Sequence, residues 1–299
     1  MRSLRRDNAP SRQPPALPMP FAPRRPFLPR TAFLLLLPLV FPAWSQQADD
    51  PARPRWEAGV AALALNAPDY PAAGRNRWRG AAAPVLIYRG ERLRVDGEGV
   101  RGRLLDTGRL ELDLSGAAAF NARENPARQG MPPLDYTFQL GPQAIYRIPL
   151  GGGQQLSAHL KLRAVVSTNG HRTHGRGAVL EPELRWQRRG WPDAASQVQL
   201  SGQATWASEG LQDYFYQVDP QYATATRPAY QAHGGYFGSA LRAGYSRRLH
   251  PTTVVNVSAG LNHHGGGANE GSPLFQRRTT GTVLVAVVWT PWHSSRPAP

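Results

Sequence analysis

The stretch QQLSAHLKLRAVVS, residues 154–167, carries the one lysine of the chain between a histidine and an arginine. Taken at alternate positions, Leu156, Ala158, Leu160, Leu162, Ala164 and Val166 fall on one face, while Ser157, His159, Lys161, Arg163 and Ser167 fall on the other. Successive side chains of a strand point to opposite faces, so this period of two specifies a β-strand with an apolar side and a charged side. A helix built from the same residues would mix the two kinds around its whole circumference.

The alternation recurs along the chain. Residues 196–206 set Gln197, Gln199, Ser201, Gln203 and Thr205 against Val198, Leu200, Gly202, Ala204 and Trp206. Residues 135–150 set Tyr136, Phe138, Leu140, Ala144, Tyr146 and Ile148 against Thr137, Gln139, Gln143 and Arg147. Val255, Val257, Ala259 and Leu261 oppose Asn256 and Ser258, and Val283, Val285, Val287 and Trp289 share one side of the last run. Each run reaches about ten residues, the length a tilted strand needs to cross a bilayer.

Soluble sandwiches alternate too, so the choice of solvent rests on chain order. The connections are alternately long and short. Those at 66–78, 121–134, 209–230 and 262–278 are long, whereas those at 89–91, 151–153 and 250–251 are tight. Short turns on one side and long loops on the other characterise an outer-membrane barrel. A hairpin at Gly97–Gly99 keeps the alternation in step and gives about twelve strands. Ten crossing strands with an extra hairpin is the alternative. The expected fold class is all-β, a transmembrane antiparallel up-and-down β-barrel, following a cleaved signal peptide.

That leader is read from Arg24, Arg25 and Arg30, which precede an apolar run from Ala32 to Phe41. The run has the length of a signal-peptide core and falls short of the roughly 20 residues a membrane helix needs. Small residues at Ala43 and Ser45 place cleavage after Ser45, and Met19 is a plausible true start. The expected organisation is a signal peptide over 1–45, a short periplasmic lead-in over 46–54, a barrel over 55–290 and a C-terminal tail over 291–299. Export through the Sec pathway to the outer membrane of a Gram-negative bacterium follows.

The net charge of +15 raises nucleic acid as a partner. Seven arginines and one aspartate lie in the first 45 residues, leaving 28 basic against 19 acidic residues beyond them. Those remaining arginines are spread at strand-like intervals, with no basic helix and no RNA-binding aromatic signature, so nucleic acid is not expected. The absence of cysteine removes disulfides and thiolate-held metals.

No catalytic residue and no metal site stands out. His171, His174, His263 and His264 sit in glycine-rich loops without accompanying acids. Ser201 with His159 lacks a nucleophile elbow. The lumen-lining polar set is His159, Lys161, Arg163, Gln199, Gln203 and Arg147, with Glu181 and Glu183 facing it from the next strand and Glu111 and Asp113 elsewhere on the wall. Arg75, Arg77 and Arg79 are candidates for lipopolysaccharide phosphates, and Arg188, Arg189 and Trp191 for a partner contact. The aromatic loop from Leu211 to Tyr230 is either a recognition surface or a cover for the barrel mouth. A hydrated lumen with Lys161, Arg163 and Arg147 would favour anions.

Three stretches resemble the MipA/OmpV family of outer-membrane proteins, the MltA-interacting proteins. Residues 66–90 resemble its first hairpin, with Pro68 and Tyr70. Residues 211–220 resemble its Asp-Tyr-Phe/Tyr segment at Asp213, Tyr214 and Phe215. Residues 267–289 resemble its last segment, with Ser272 and Pro273 before the final strand. The resemblance implies a non-enzymatic barrel of a family whose best-described member scaffolds a murein lytic transglycosylase and a penicillin-binding protein; a monomer without cofactors is expected. A porin-like channel and a surface receptor or adhesin are the alternatives it leaves open.

Overall fold

In a computed structural model, which describes residues 54–90, 93–96, 99–102, 105–106 and 109–297, the alternation becomes one antiparallel sheet. Ten of its strands hold ten to seventeen residues: β1 (Trp56–Pro68), β2 (Asn76–Arg89), β6 (Leu110–Ala119), β7 (Tyr136–Gly151), β8 (Gln154–Thr168), β9 (Thr173–Arg189), β10 (Ser196–Ala207), β11 (Gly235–His250), β12 (Thr253–His263) and β13 (Thr279–His293). Three short strands lie between β2 and β6: β3 (Leu93–Asp96), β4 (Gly99–Gly102) and β5 (Leu105–Asp106). β3 and β4 form an antiparallel hairpin with Asp96 opposite Gly99.

The sheet order is β4-β3-β2-β1-β13-β12-β11-β10-β9-β8-β7-β6-β5, so the first long strand pairs with the last, Ala61 opposite Val288. The sheet curls until β4, near one end, comes beside β6, near the other. Curling of this kind removes unpaired edges that a lipid environment cannot satisfy.

The burial pattern is the inverse of that of a water-soluble sheet. Along β8, Ser157, His159, Lys161, Arg163, Val165 and Ser167 are buried, while Ala158, Leu160, Leu162 and Ala164 are exposed. Leu160 and Leu162 each leave 52% of their surface outside, and Leu140, Leu184, Leu200, Leu241 and Leu261 extend the same wall around the sheet. An apolar belt this continuous is far larger than a soluble monomer tolerates; in a bilayer it is the solvated face. Exposed aromatics flank it at both ends. Trp78, Tyr136 and Trp206 lie toward the long loops, and Trp56, Trp289 and Trp292 toward the short turns, as an amphipathic ring at a headgroup boundary requires. No helix among the described residues is long and apolar enough to cross a membrane.

Turn chemistry fixes which end is which. The β7–β8 turn runs through Gly151, Gly152 and Gly153 at φ of 80°, 58° and 74°, a left-handed run that side chains with a Cβ adopt only under strain. Pro251 and Thr252 alone join β11 to β12. At the opposite end, residues 69–75, 120–135, 208–234 and 264–278 form the long connections, and the third of these contains the helix α1 (Glu209–Tyr216).

The ion-paired lumen and its loop cap

The inner wall is organised by strand register. Opposite Lys161 on β8 stands Glu181 on β9, and opposite His159 stands Glu183. The Lys161 ammonium reaches both carboxylates, at 2.9 Å from Glu181 Oε1 and in closer contact with Glu183. Arg163 meets the other Glu181 oxygen at 3.0 Å, and Arg185 meets Glu183 at 2.7 Å. All five side chains are at least nine-tenths buried. Charges so far from bulk water persist only when paired and hydrogen-bonded, and this chain of alternating sign supplies both conditions.

Around the wall, Arg147 pairs with Glu111 and Gln143 Nε2 lies 3.5 Å from Asp113. Glu111 and Asp113 therefore share the inner wall with the β7–β9 charges. Gln199 is buried on β10, and Gln203, four residues on, accepts from Arg242 of β11. His159 is engaged within its own strand, its Nε2 2.9 Å from Ser157 Oγ, while Ser201 sits opposite Arg185 on the far side of β9. The serine beside His159 is thus Ser157, and the Ser201–His159 pairing does not form.

The long loops close over one end. Tyr70, Ala72 and Ala73 of the first loop, Ala122 and Leu134 of the second, Tyr216, Val218 and Ala232 of the third, and Leu274 of the fourth make one buried cluster. Helix α1 supplies its centre because Leu211, Gln212, Phe215 and Tyr216 recur at helical spacing on one face. Leu211 packs onto Val165, Val179 and Ala207, which ties the cap to the sheet. Tyr216 is fully buried among Phe215, Phe237 and Phe275, and its hydroxyl donates to the Pro71 carbonyl at 3.1 Å.

Polar contacts bind the loops to one another. The Tyr70 hydroxyl donates to the Leu274 carbonyl at 2.8 Å, Ser272 donates to the Tyr216 carbonyl at 2.7 Å, and Asn269 bridges Gln212 and His233 at 2.6 and 2.8 Å. Ala72 adopts φ of 62°, a left-handed conformation costing roughly 1–3 kcal/mol for a residue with a Cβ. Its carbonyl accepts from both Gln276 N and Arg277 N at 2.9 Å, contacts that hold the strained residue in place. Burial pushes the Tyr70 hydroxyl up to about 12 and raises that of Tyr216 as well, while it lowers the Arg128 guanidinium, which donates to the Phe215 carbonyl at 3.0 Å.

The aromatic loop therefore folds inward. Tyr214, Phe215, Tyr222 and Tyr230 all pack against the cap cluster. Of the three rim arginines, Arg75 is exposed, whereas Arg79 pairs with buried Asp69 at 2.6 Å and Arg77 approaches the same carboxylate at 3.4 Å. At the short-turn end, Arg188 lies 5.8 Å over the ring of Trp191, which is 47% exposed; Arg189 ends β9 with its amide donating to the Gly153 carbonyl. His171 and His174 are exposed, and no group of three or more metal-ligating side chains occurs among the described residues.

An apolar outer wall, aromatic girdles and a charged, ion-paired interior define a membrane-spanning β-barrel of the outer-membrane class. The chain belongs to the MipA family, MltA-interacting protein, whose family model matches residues 60–291. No curated protein matches it. Among solved structures it is similar to an outer membrane channel from Pseudomonas putida F1, at 12% identity over 81% of this chain and 97% of that one, with a TM-score of 0.45. The NanC porin matches at 6% identity over 79% and 98% of the two chains with a TM-score of 0.35, and the outer membrane protein OprG from Pseudomonas aeruginosa at 9% over 80% and 94% with a TM-score of 0.22.

Proposed function

We propose that this protein is a non-enzymatic scaffold in the outer membrane, holding peptidoglycan-remodelling enzymes, a murein lytic transglycosylase and a penicillin-binding protein, at the inner face of that membrane. The reading includes a signal peptide over 1–45 removed on Sec-dependent export, a lead-in over 46–54, a monomeric barrel over 55–290 and a tail over 291–299. It also includes twelve crossing strands, with β3 as one and β4 together with β5 as another. That count is supported by the pairing of β5 with β6 and by the approach of β4 to the same strand.

The observation that carries the scaffold reading is membership of a family named for its interaction with MltA. Two features of the barrel favour it over a channel. The lumen cations Lys161, Arg163 and Arg147 are each paired with neighbouring acids, which weakens the basis for anion selectivity, and the cap fills the mouth. Function then falls to the surface at the short-turn end, taken as periplasmic, where Arg188, Arg189 and Trp191 supply the residue types enriched at binding hot spots. Turns this short present less than the roughly 800 Å² per partner of a standard interface, so a weak contact is expected.

Photo-crosslinking in cells from a benzoylphenylalanine at position 191, followed by mass spectrometry, tests the proposal. A lytic transglycosylase or a penicillin-binding protein is the expected product. Capture of neither, together with a ligand crosslinked from the Leu211–Tyr230 loop, would make the protein a surface receptor instead.

A further inference from the structure

Directly beneath the cap the lumen widens into a cavity of about 340 Å³, and this adjoins a second of about 270 Å³, with Glu181, Gln203 and Arg242 on their common boundary. The upper cavity is amphipathic. Leu211, Phe215 and Phe237 give it apolar walls, and Arg79, Arg242, Glu181, Asp69 and Asp135 give it charge.

Most of that charge is already met. Arg79 is paired with Asp69 at 2.6 Å, and Glu181 is shared by Lys161 and Arg163 at 2.9 and 3.0 Å. Arg242 differs: it touches the neutral Gln203 amide, and among the described residues no carboxylate lies within ion-pair distance of it. Arg242 is therefore a cation without a carboxylate partner at the cavity floor.

The opposite requirement sits nearby. His264 Nδ1 lies 3.2 Å from the Phe237 carbonyl, a contact that assigns the ring proton to Nδ1 and leaves Nε2 as an acceptor. His264 is 93% buried in lining this cavity, and Nε2 has no partner. Burial lowers its pKa, in keeping with a neutral ring. Gln139 Oε1, on the same cavity wall, is a second buried acceptor without a partner. Unmet buried acceptors are costly, and native interiors rarely keep them without a reason.

We propose that this cavity binds a small carboxylic acid with an apolar body and a hydroxyl or amino group, its carboxylate on Arg242 and its O–H or N–H donating to His264 Nε2. Phe215 and Phe237 flank the apolar body. The volume suits a molecule the size of a substituted benzoate, within the range of ordinary ligand pockets. The proposal stands apart from the scaffold reading, since it uses the inside of the barrel and not the turn surface.

Isothermal titration calorimetry on the full chain refolded in detergent tests it, with para-hydroxybenzoate, benzoate and para-hydroxybenzyl alcohol as probes. Heat-modifiable gel mobility verifies folding of each variant. Saturable binding of para-hydroxybenzoate is expected, with benzoate and the alcohol each about tenfold or more weaker, the worth of one charged or buried hydrogen bond. Arg242→Gln should weaken both acids by a similar factor and leave the alcohol unchanged, Arg242→Lys should recover part of the loss, and His264→Phe should abolish the preference for the hydroxylated acid. Equal binding of the three probes, no saturable binding of any, or affinities unmoved by the Arg242 and His264 substitutions would overturn the assignment.

Discussion

Replacing Glu183 with glutamine is expected to destabilise the folded barrel by about 3–4 kcal/mol, the cost of breaking a buried ion pair by removing one partner. Glu183 serves Lys161 and Arg185 together and faces His159 in the register. Its loss takes a carboxylate from both Lys161 and Arg185 and, among the described residues, leaves Lys161 to share Glu181 with Arg163. Lys161→Met is expected to cost clearly less. That change leaves two intact pairs, Arg163 with Glu181 and Arg185 with Glu183, and no net charge among the four. The double variant should be more stable than the sum of the two losses, by at least about 1 kcal/mol, because the two side chains share one contact. Urea unfolding followed by tryptophan fluorescence measures all three. A Lys161→Met loss equal to or larger than that of Glu183→Gln would mean that the inner wall is water-filled and that its ion pairs are screened.

The second large effect belongs to the cap. Tyr216→Ala removes a fully buried ring from the centre of the loop cluster, a truncation worth about 4 kcal/mol at such sites. Because Tyr216 joins loops to one another, the loss falls on cap closure more than on strand pairing. A shift of that size raises the fraction of open caps by about three orders of magnitude. Tyr216→Phe keeps the ring and forfeits the hydrogen bond to Pro71, about 1 kcal/mol. Planar-bilayer recordings should then find a marked rise in conductance for the alanine variant and almost none for phenylalanine. Equal conductance of the wild type and Tyr216→Ala would show that the cap does not gate the lumen.

The strands were legible in the sequence because lipid and lumen impose a period of two over ten or more residues, as Leu160, Lys161 and Leu162 display. The ion pairs were legible only where adjacent strands are joined by a short loop, which sets Lys161 against Glu181 and Glu183. The pairing of Glu111 with Arg147 spans the long 120–135 loop, and no local pattern encodes the register that such a loop leaves between β6 and β7. The cap was least legible. Tyr70, Leu134, Tyr216 and Leu274 come from four loops without periodicity, and their meeting depends on the sheet carrying those loops to one end. The cavity site was invisible for the same reason, with His264 and Arg242 separated by half of β11, a turn and the whole of β12. In residues 93–106 the described strands are two to four residues long, so the twelve-strand count rests on their pairing partners.

The apolar face of every long strand meets lipid while the charged face does not. The chain has no cysteine, so single cysteines carrying a nitroxide label can be placed on either face without background. Labels at Leu160, Leu184 and Leu200 on the outer wall, and at Ser157, Gln199 and Ser201 on the inner wall, are compared in bilayers by power-saturation spin resonance. The outer labels should collide with molecular oxygen dissolved in lipid and be shielded from a water-soluble nickel chelate, and the inner labels should be shielded from lipid oxygen. Outer labels accessible to the chelate and indifferent to lipid would contradict that arrangement.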